Sequence, residues 1–235
     1  MRAFEFEISR GELFCLAAIH GVDSLLNVQY ESEETGTDLM LLFNKLTESL
    51  RNKKWLDEDF DGNMTVLNEL TTAISLCGAA DRFWIVQSHT KKDTVTDYIY
   101  TIYNTGENYL VLEQIDGENY KGLLTDEYEA VKNTVFNKTP SFDAAHTYTK
   151  ILPGEISAIT ENEPYAIVSI STYTTETDND KRALVCLDAA MFLLLKNSGS
   201  YFLSADGNDD GEFLPVEKTG GGLIFDKFFQ NQEDV

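Results

Sequence analysis

YLVLEQIDGENYKGLL, residues 109–124, decides how this chain is read. Tyr109–Gln114 and Asn119–Leu124 are aliphatic and aromatic runs on either side of Asp116-Gly117. An Asp-Gly pair tolerates the positive φ of a tight hairpin turn, so the segment predicts two antiparallel strands. Upstream, Arg82–Ser88 and Val95–Asn104 are rich in β-branched and aromatic residues and predict two more. Downstream, Thr125 or Asp126 caps a helix running to about Phe136. Four strands and then a helix is the order of an antiparallel meander closed by a helix.

The second half repeats that order. Tyr165–Tyr173 and Ala183–Leu195 read as apolar strands, the latter long enough to bend or break. Tyr201–Ser204 and Glu212–Val216 read as a hairpin around Asp206–Gly211, and Leu223–Gln230 as a terminal helix. The expectation is an α+β fold with two pseudo-symmetric antiparallel β-meanders forming a central sheet, flanked by helices. One continuous antiparallel sheet without symmetry is the alternative. The halves are 1–137 and 138–235, and three of the four prolines fall in the connector Lys138–Pro164.

The N-terminal third is helical in pattern. Phe4, Phe6 and Ile8 alternate with polar residues, as on a half-buried strand. Ser9 and Glu12 form an S-x-x-E capping box ahead of Leu13, Leu16 and Ala17, and Gly21 stops that helix. Leu39, Leu42, Phe43, Leu46 and Leu50 place a second helix over Thr37–Lys53. The acidic run after Lys54 breaks it. A third helix carries Val66, Leu67, Leu70, Ile74 and Cys77 on one side, with Gly78 after it.

Of 235 residues, 40 are Asp or Glu and 18 are Lys or Arg, a net charge of −22. Such a surface repels phosphate backbones and anionic membranes, which disfavours nucleic-acid binding and membrane association. No N-terminal h-region and no run long enough to span a bilayer is present, so a cytoplasmic protein without membrane insertion is expected. Cys15, Cys77 and Cys186 are widely spaced and odd in number, which predicts buried free thiols in a reducing compartment and no disulfide framework.

No catalytic signature emerges. His20, His89 and His146 are isolated in sequence, without the close pair typical of a metal site. No nucleophile elbow, P-loop or dinucleotide fingerprint occurs. Gly220-Gly221-Gly222, ahead of the terminal helix, has the flexibility to cradle an anion but lacks the P-loop lysine. Asp206, Asn208, Asp210, Gly211 and Glu217 satisfy the spacing of a calcium loop, and Asp57, Asp59, Asp61 and Gly62 match its first half. Pro215 denies the first loop an exiting helix, and Asn68 stands where the second needs a bidentate carboxylate. Both read better as turns, so no metal, no cofactor and no catalytic residue is expected.

ISRGELFCLAAIHGVDSL (8–25), a long amphipathic helix, LRNKKWLDEDFDGNMTVLNELTTAI (50–74), FWIVQS (83–88) and then a meander follow one another in a distinctive order. That order resembles the EspG proteins, cytosolic chaperones of type VII (ESX) secretion. It is most specific over Phe4–Thr134, while LDAAMFLLL (187–195) and the final hairpin look like the second pseudo-symmetric half of that fold. The resemblance implies a substrate-binding chaperone or adaptor, not an enzyme. Its client would be a helical secretion substrate, a PE/PPE-like or WXG/LXG-type bundle, kept soluble by capture of its tip. The family's contact loop maps onto Ser88–Thr94, which makes Thr90, Lys91, Lys92 and Asp93 the partner-binding candidates. This loop is shorter than the family's and carries a basic pair in an acidic chain. A second reading from charge alone is an acidic immunity protein that covers the basic active site of a polymorphic toxin.

Overall fold

The computed structural model describes residues 3–28, 37–80, 82–91, 97–136, 138–139, 145–178, 181–204 and 211–230. The elements of the first half are β1 (Phe4–Ser9), α1 (Arg10–His20), α2 (Thr37–Asn52), β2 (Leu56–Glu58), β3 (Met64–Val66) and α3 (Asn68–Ala79). They continue with β4 (Arg82–Lys91), β5 (Tyr98–Asn104), β6 (Tyr109–Gln114), β7 (Asn119–Thr125) and α4 (Tyr128–Phe136). The second half has a 3-10 turn (Pro153–Glu155), α5 (Ile156–Asn162), β8 (Tyr165–Asp178), β9 (Lys181–Leu195), β10 (Gly199–Ser204), β11 (Leu214–Pro215) and α6 (Lys218–Gln230).

The main sheet is antiparallel, in the order β1-β7-β6-β5-β4-β8-β9-β10-β11, and β2-β3 is a separate hairpin. The expected α+β class holds. Both β4–β7 and β8–β11 are runs of consecutive neighbours, so the two meanders have the same strand order. Two compact units are present: Met1–Arg82 with Thr101–Val131, and Phe83–Tyr100 with Lys132–Val235.

In the first unit β1 leads straight into α1 through the capping box. Ser9 Oγ accepts from the Glu12 amide at 3.2 Å, and Glu12 Oε2 accepts from the Ser9 amide at 2.8 Å. Gly21 ends the helix in the left-handed region at φ 67°, where a Cβ is disfavoured. The third helix differs from the expectation at both ends. Val66 belongs to β3, Leu67 is the N-cap, and Gly78 lies inside α3. A Cβ at Gly78 would stand 2.4 Å from Val22 Cγ1, so close packing, not termination, selects glycine there. The β2-β3 hairpin was not expected, because three-residue strands with acidic turns carry no legible alternation.

In the second unit β9 is one continuous strand. Opposite Thr172 and Tyr173 of β8 stand Asp188 and Cys186, which leaves Leu187 as an extra, bulged residue. The apolar run at its end is explained by cover on both faces. Leu193 and Leu195 join Ile151, Tyr201 and Phe213 in a core against which Ile156 and Ile159 of α5 pack. Phe192, which alternates to the other face of the strand, lies under α6, where a Cβ built on Gly221 would stand 3.8 Å from its Cε1. α6 begins at Lys218, so Gly220–Gly222 sit within its first turns and do not precede it. Trp84 fixes its far end, with Nε1 donating to the Phe228 carbonyl at 2.9 Å and the ring 5.0 Å from that of Phe229. α5 falls in what the prolines marked as plain connector; Pro153 starts its 3-10 turn. Of the three thiols, Cys15 and Cys77 are buried as expected, whereas Cys186 is exposed on β9, outside the doubly covered stretch.

Candidate partner-binding surface

The expected contact loop joins β4 to β5 within the second unit. Thr90 is half-buried, and its amide donates to Asp97 Oδ1 at 2.8 Å. Asp97 Oδ2 lies 3.5 Å from His89 Nδ1. One carboxylate thus ties the last turn of β4 to the first residues before β5 and fixes the base of the connection. Lys91 ends β4, while Lys92 and Asp93 lie outside the described residues.

In the first unit, sequence reasoning missed a more prominent feature. The β2-β3 hairpin is a finger whose turn is organised by Asp59. Its Oδ1 accepts from the amides of Asp61 and Asn63, both at 2.9 Å, and its Oδ2 from Asn63 Nδ2 at 2.8 Å. The Asn63 side chain, then the surrounding amides, hold the Asp59 carboxyl below its ordinary range. Gly62 adopts φ 83°, which closes the turn. Both oxygens are therefore committed to the turn, as an Asx-type motif requires, and the half-match to a calcium loop is a turn signal. The turn displays Phe60 wholly to solvent, at 111% relative exposure, between Asp57, Glu58 and Asp61. An aromatic residue inside an acidic Asp-Gly run is the signal that marks it in the sequence. Met40, 70% exposed, and Leu41 add apolar surface near the start of α2. Of the longer calcium-loop match, residues 206–210 lie outside the described residues.

Buried polar chemistry centres on Glu12. Its carboxylate accepts from Ser9 N, from Ser49 Oγ at 2.8 Å and from Lys53 Nζ at 2.7 Å. It borders a cavity of about 520 Å³ that Glu7, Ser49, Lys53, Asp116 and Asn119 also line. Burial alone would raise the Glu12 pKa; Lys53, the Ser9 amide and Ser49 outweigh it, and the net shift is downward. A carboxylate locked in its charged form is a clamp between β1, α1 and α2, the opposite of a group poised to exchange protons near neutrality. The histidines are engaged separately: His20 with Thr71, His89 with Asp97, His146 with the Val216 carbonyl. Among the described residues no group of three or more His, Cys, Asp or Glu side chains is placed to hold a metal ion. No helix among them is long and apolar enough to cross a membrane.

These features define an α+β protein with an antiparallel sheet of two meanders, surface-displayed apolar side chains and structural buried charges. No protein-family model matches the sequence, and no curated protein is matched by it. Among solved structures, the chain is similar to the Mycobacterium tuberculosis type VII secretion system chaperone EspG5, determined in complex with a PE25–PPE41 dimer. The match spans 94% of each chain at a TM-score of 0.59 and 8% sequence identity. At that identity the fold is what the two proteins share.

Proposed function

We propose that this protein is a cytosolic chaperone or adaptor of a type VII secretion system, which binds a helical secretion substrate and keeps it soluble. The observation that carries the reading is the end-to-end fold likeness to a chaperone of that system, over 94% of both chains. The displayed apolar side chains fit a protein that works by contact. Under this reading the client is a PE/PPE-like or WXG/LXG-type helical bundle, and the β4–β5 connection with Thr90, Lys91, Lys92 and Asp93 forms part of the contact. The protein catalyses no reaction in this role. The test is co-expression with helical substrates encoded beside it. The expected result is a soluble stoichiometric complex with a client that precipitates alone, and weaker capture by the Lys91→Glu, Lys92→Glu double variant. Insoluble client in every pairing overturns the reading.

The charge of −22 supports a second reading, an immunity protein for a basic toxin domain. Recovery of a toxin domain in place of a secretion substrate, with neutralisation that fades as salt rises, would establish it.

A further inference from the structure

The β2-β3 finger of the first unit is fastened from base to tip. Leu56 and Val66, opposite each other at its base, are buried, and the Leu67 amide donates to the Trp55 carbonyl at 3.0 Å. The Trp55 amide in turn donates to the Leu50 carbonyl of α2 at 2.9 Å. Arg51 of α2 pairs with Glu58 on the first strand of the finger. Asp59 fixes the tip by accepting from the Asp61 and Asn63 amides. This order carries a side chain that the fold does not use, since the Phe60 ring is wholly exposed. A ring on a pre-ordered tip loses little conformational freedom when it is bound, which is what an anchor requires.

The charges beside the ring select what it fits. Asp57, Glu58 and Asp61 lie close to it in sequence and are exposed. Arg51 neutralises Glu58, and both oxygens of Asp59 are spent on the turn. Asp57 and Asp61 are left without an ion pair among the described residues. A ring accompanied by two such carboxylates is repelled by an anionic lipid surface, and by a second copy of a chain with a net charge of −22. It matches an apolar socket with positive polarity at its rim. The end of a helical bundle offers both. Neighbouring helices leave an apolar groove between them, and where a helix begins its unsatisfied first-turn amides and its dipole attract carboxylates. We infer that Phe60 is an anchor by which this chain grips its helical client. The ring enters the groove beside the N-terminus of a client helix, and Asp57 and Asp61 face the first-turn amides of that helix. The inference rests on the secretion-chaperone reading and adds to it which side chain anchors the client and which end of a client helix is held.

Binding kinetics of the full chain with the helical secretion substrate encoded beside it test the inference. The wild type captures the client, and Phe60→Ala weakens capture by more than about thirtyfold, the loss expected of a central aromatic anchor. The unfolding midpoint of Phe60→Ala stays that of the wild type, because a wholly exposed ring supports no packing. Phe60→Trp keeps capture. Relative to the wild-type complex, the emission of its added indole shifts to the blue when the client binds, which a role confined to the fold does not produce. Asp57→Asn with Asp61→Asn lowers the association rate several-fold and flattens its dependence on salt. If Phe60→Ala captures the client as the wild type does, this inference falls and the chaperone reading stands. If the wild type captures no client, both fall. Phe60-dependent binding to phosphatidylcholine vesicles, or Phe60-dependent self-association, with client capture untouched, also overturns the inference.

Discussion

The outer flanks of β7 and β9 are held in different ways. β7 is paired along Asn119–Leu124 by β1, residue against residue from Ser9 to Phe4. β9 receives β10 only from Ala190 onward. The difference lies in what each unit spends its N-terminal segment on. In the first unit the chain begins with a strand that covers the flank, and the Glu12 clamp holds that strand to α1 and α2. In the second unit the segment before the meander forms α5, whose Ile156 and Ile159 pack on the core at the covered end of β9.

The widest gap expected between the two regions is chemical. Burial pushes the Cys77 thiol to about 12, and burial with the Glu12 charge pushes Cys15 to about 11. At pH 8 a thiol at 12 is thiolate at roughly one part in ten thousand, and neither sulfur is accessible. Cys186 is exposed on β9. Titration with a disulfide reagent on the native protein should label Cys186 alone, with Cys15 and Cys77 appearing only on unfolding. Prompt labelling of Cys77 would mean that the interior of the first unit opens readily.

The next effect concerns the fastener. Glu12→Ala leaves the Ser9 amide and the Ser49 hydroxyl without their buried acceptor, while Lys53, about a third exposed, turns to water. A loss of about 2–3 kcal/mol is expected by denaturant unfolding. Hydrogen exchange should speed up in β7 and leave β10 unchanged, because β1 is freed from the corner. The same group sets a pH dependence. Its folded pKa lies below the ordinary 4.5, so its contribution is present above that value and is lost as pH falls through the lowered one. Stability curves of the wild type and of Glu12→Gln should therefore converge on acidification. Curves that stay parallel to the lowest pH would remove the clamp from the account.

Smaller still is the effect of closing the gap under β1. Gly122 of β7 faces Phe6 of β1, and a Cβ there would stand 2.1 Å from Phe6 Cζ. The Phe6 ring fills the space over a glycine that has no side chain of its own, and its edge meets Trp55 at 6.2 Å. Gly122→Ala forces the ring aside and should destabilise by about 1–2 kcal/mol. In a Phe6→Ala background the same change should be nearly neutral. Equal costs in both backgrounds would show that the strand, and not the ring, excludes the methyl group.

How much of this was legible follows from where the cause lies. The capping box, Gly21 and the Asp116-Gly117 hairpin act over a few residues, so their chemistry is written locally: Asp116 Oδ1 accepts from the Glu118 and Asn119 amides as an Asx turn does. Of the glycines misread here, Gly78 is set by a neighbour distant in sequence, Val22, and Gly220–Gly222 lie inside a helix whose start they hide. Nothing local separates a glycine that ends a helix from one that lets a helix approach. Cys186 was misread for a similar reason, since ALVCL and FLLL look alike until β10, α5 and α6 cover only the second. Phe60 was hidden by the acidity around it, which drew attention to cations instead of to the ring.

The smallest effect expected is a gain. Gly220–Gly222 lie early in α6, and each glycine lowers helix stability by about 1 kcal/mol relative to alanine. The three are not equivalent. A Cβ at Gly220 would press on Val216 Cγ2 at 3.2 Å, one at Gly221 would touch Phe192 Cε1 at 3.8 Å, and one at Gly222 would meet nothing nearer than Phe136 Cζ at 4.0 Å. Gly222 is also free of the positive-φ backbone that would strain a side chain. Gly222→Ala should therefore raise stability by about 0.5–1 kcal/mol, mainly by restricting the unfolded chain. Since α6 overlies the covered half of β9 and not its outer edge, exchange at Leu184–Leu187 should not change, whereas the amides of α6 should exchange more slowly. A matching slowdown at Leu184–Leu187 would show that the two halves of β9 open as one unit.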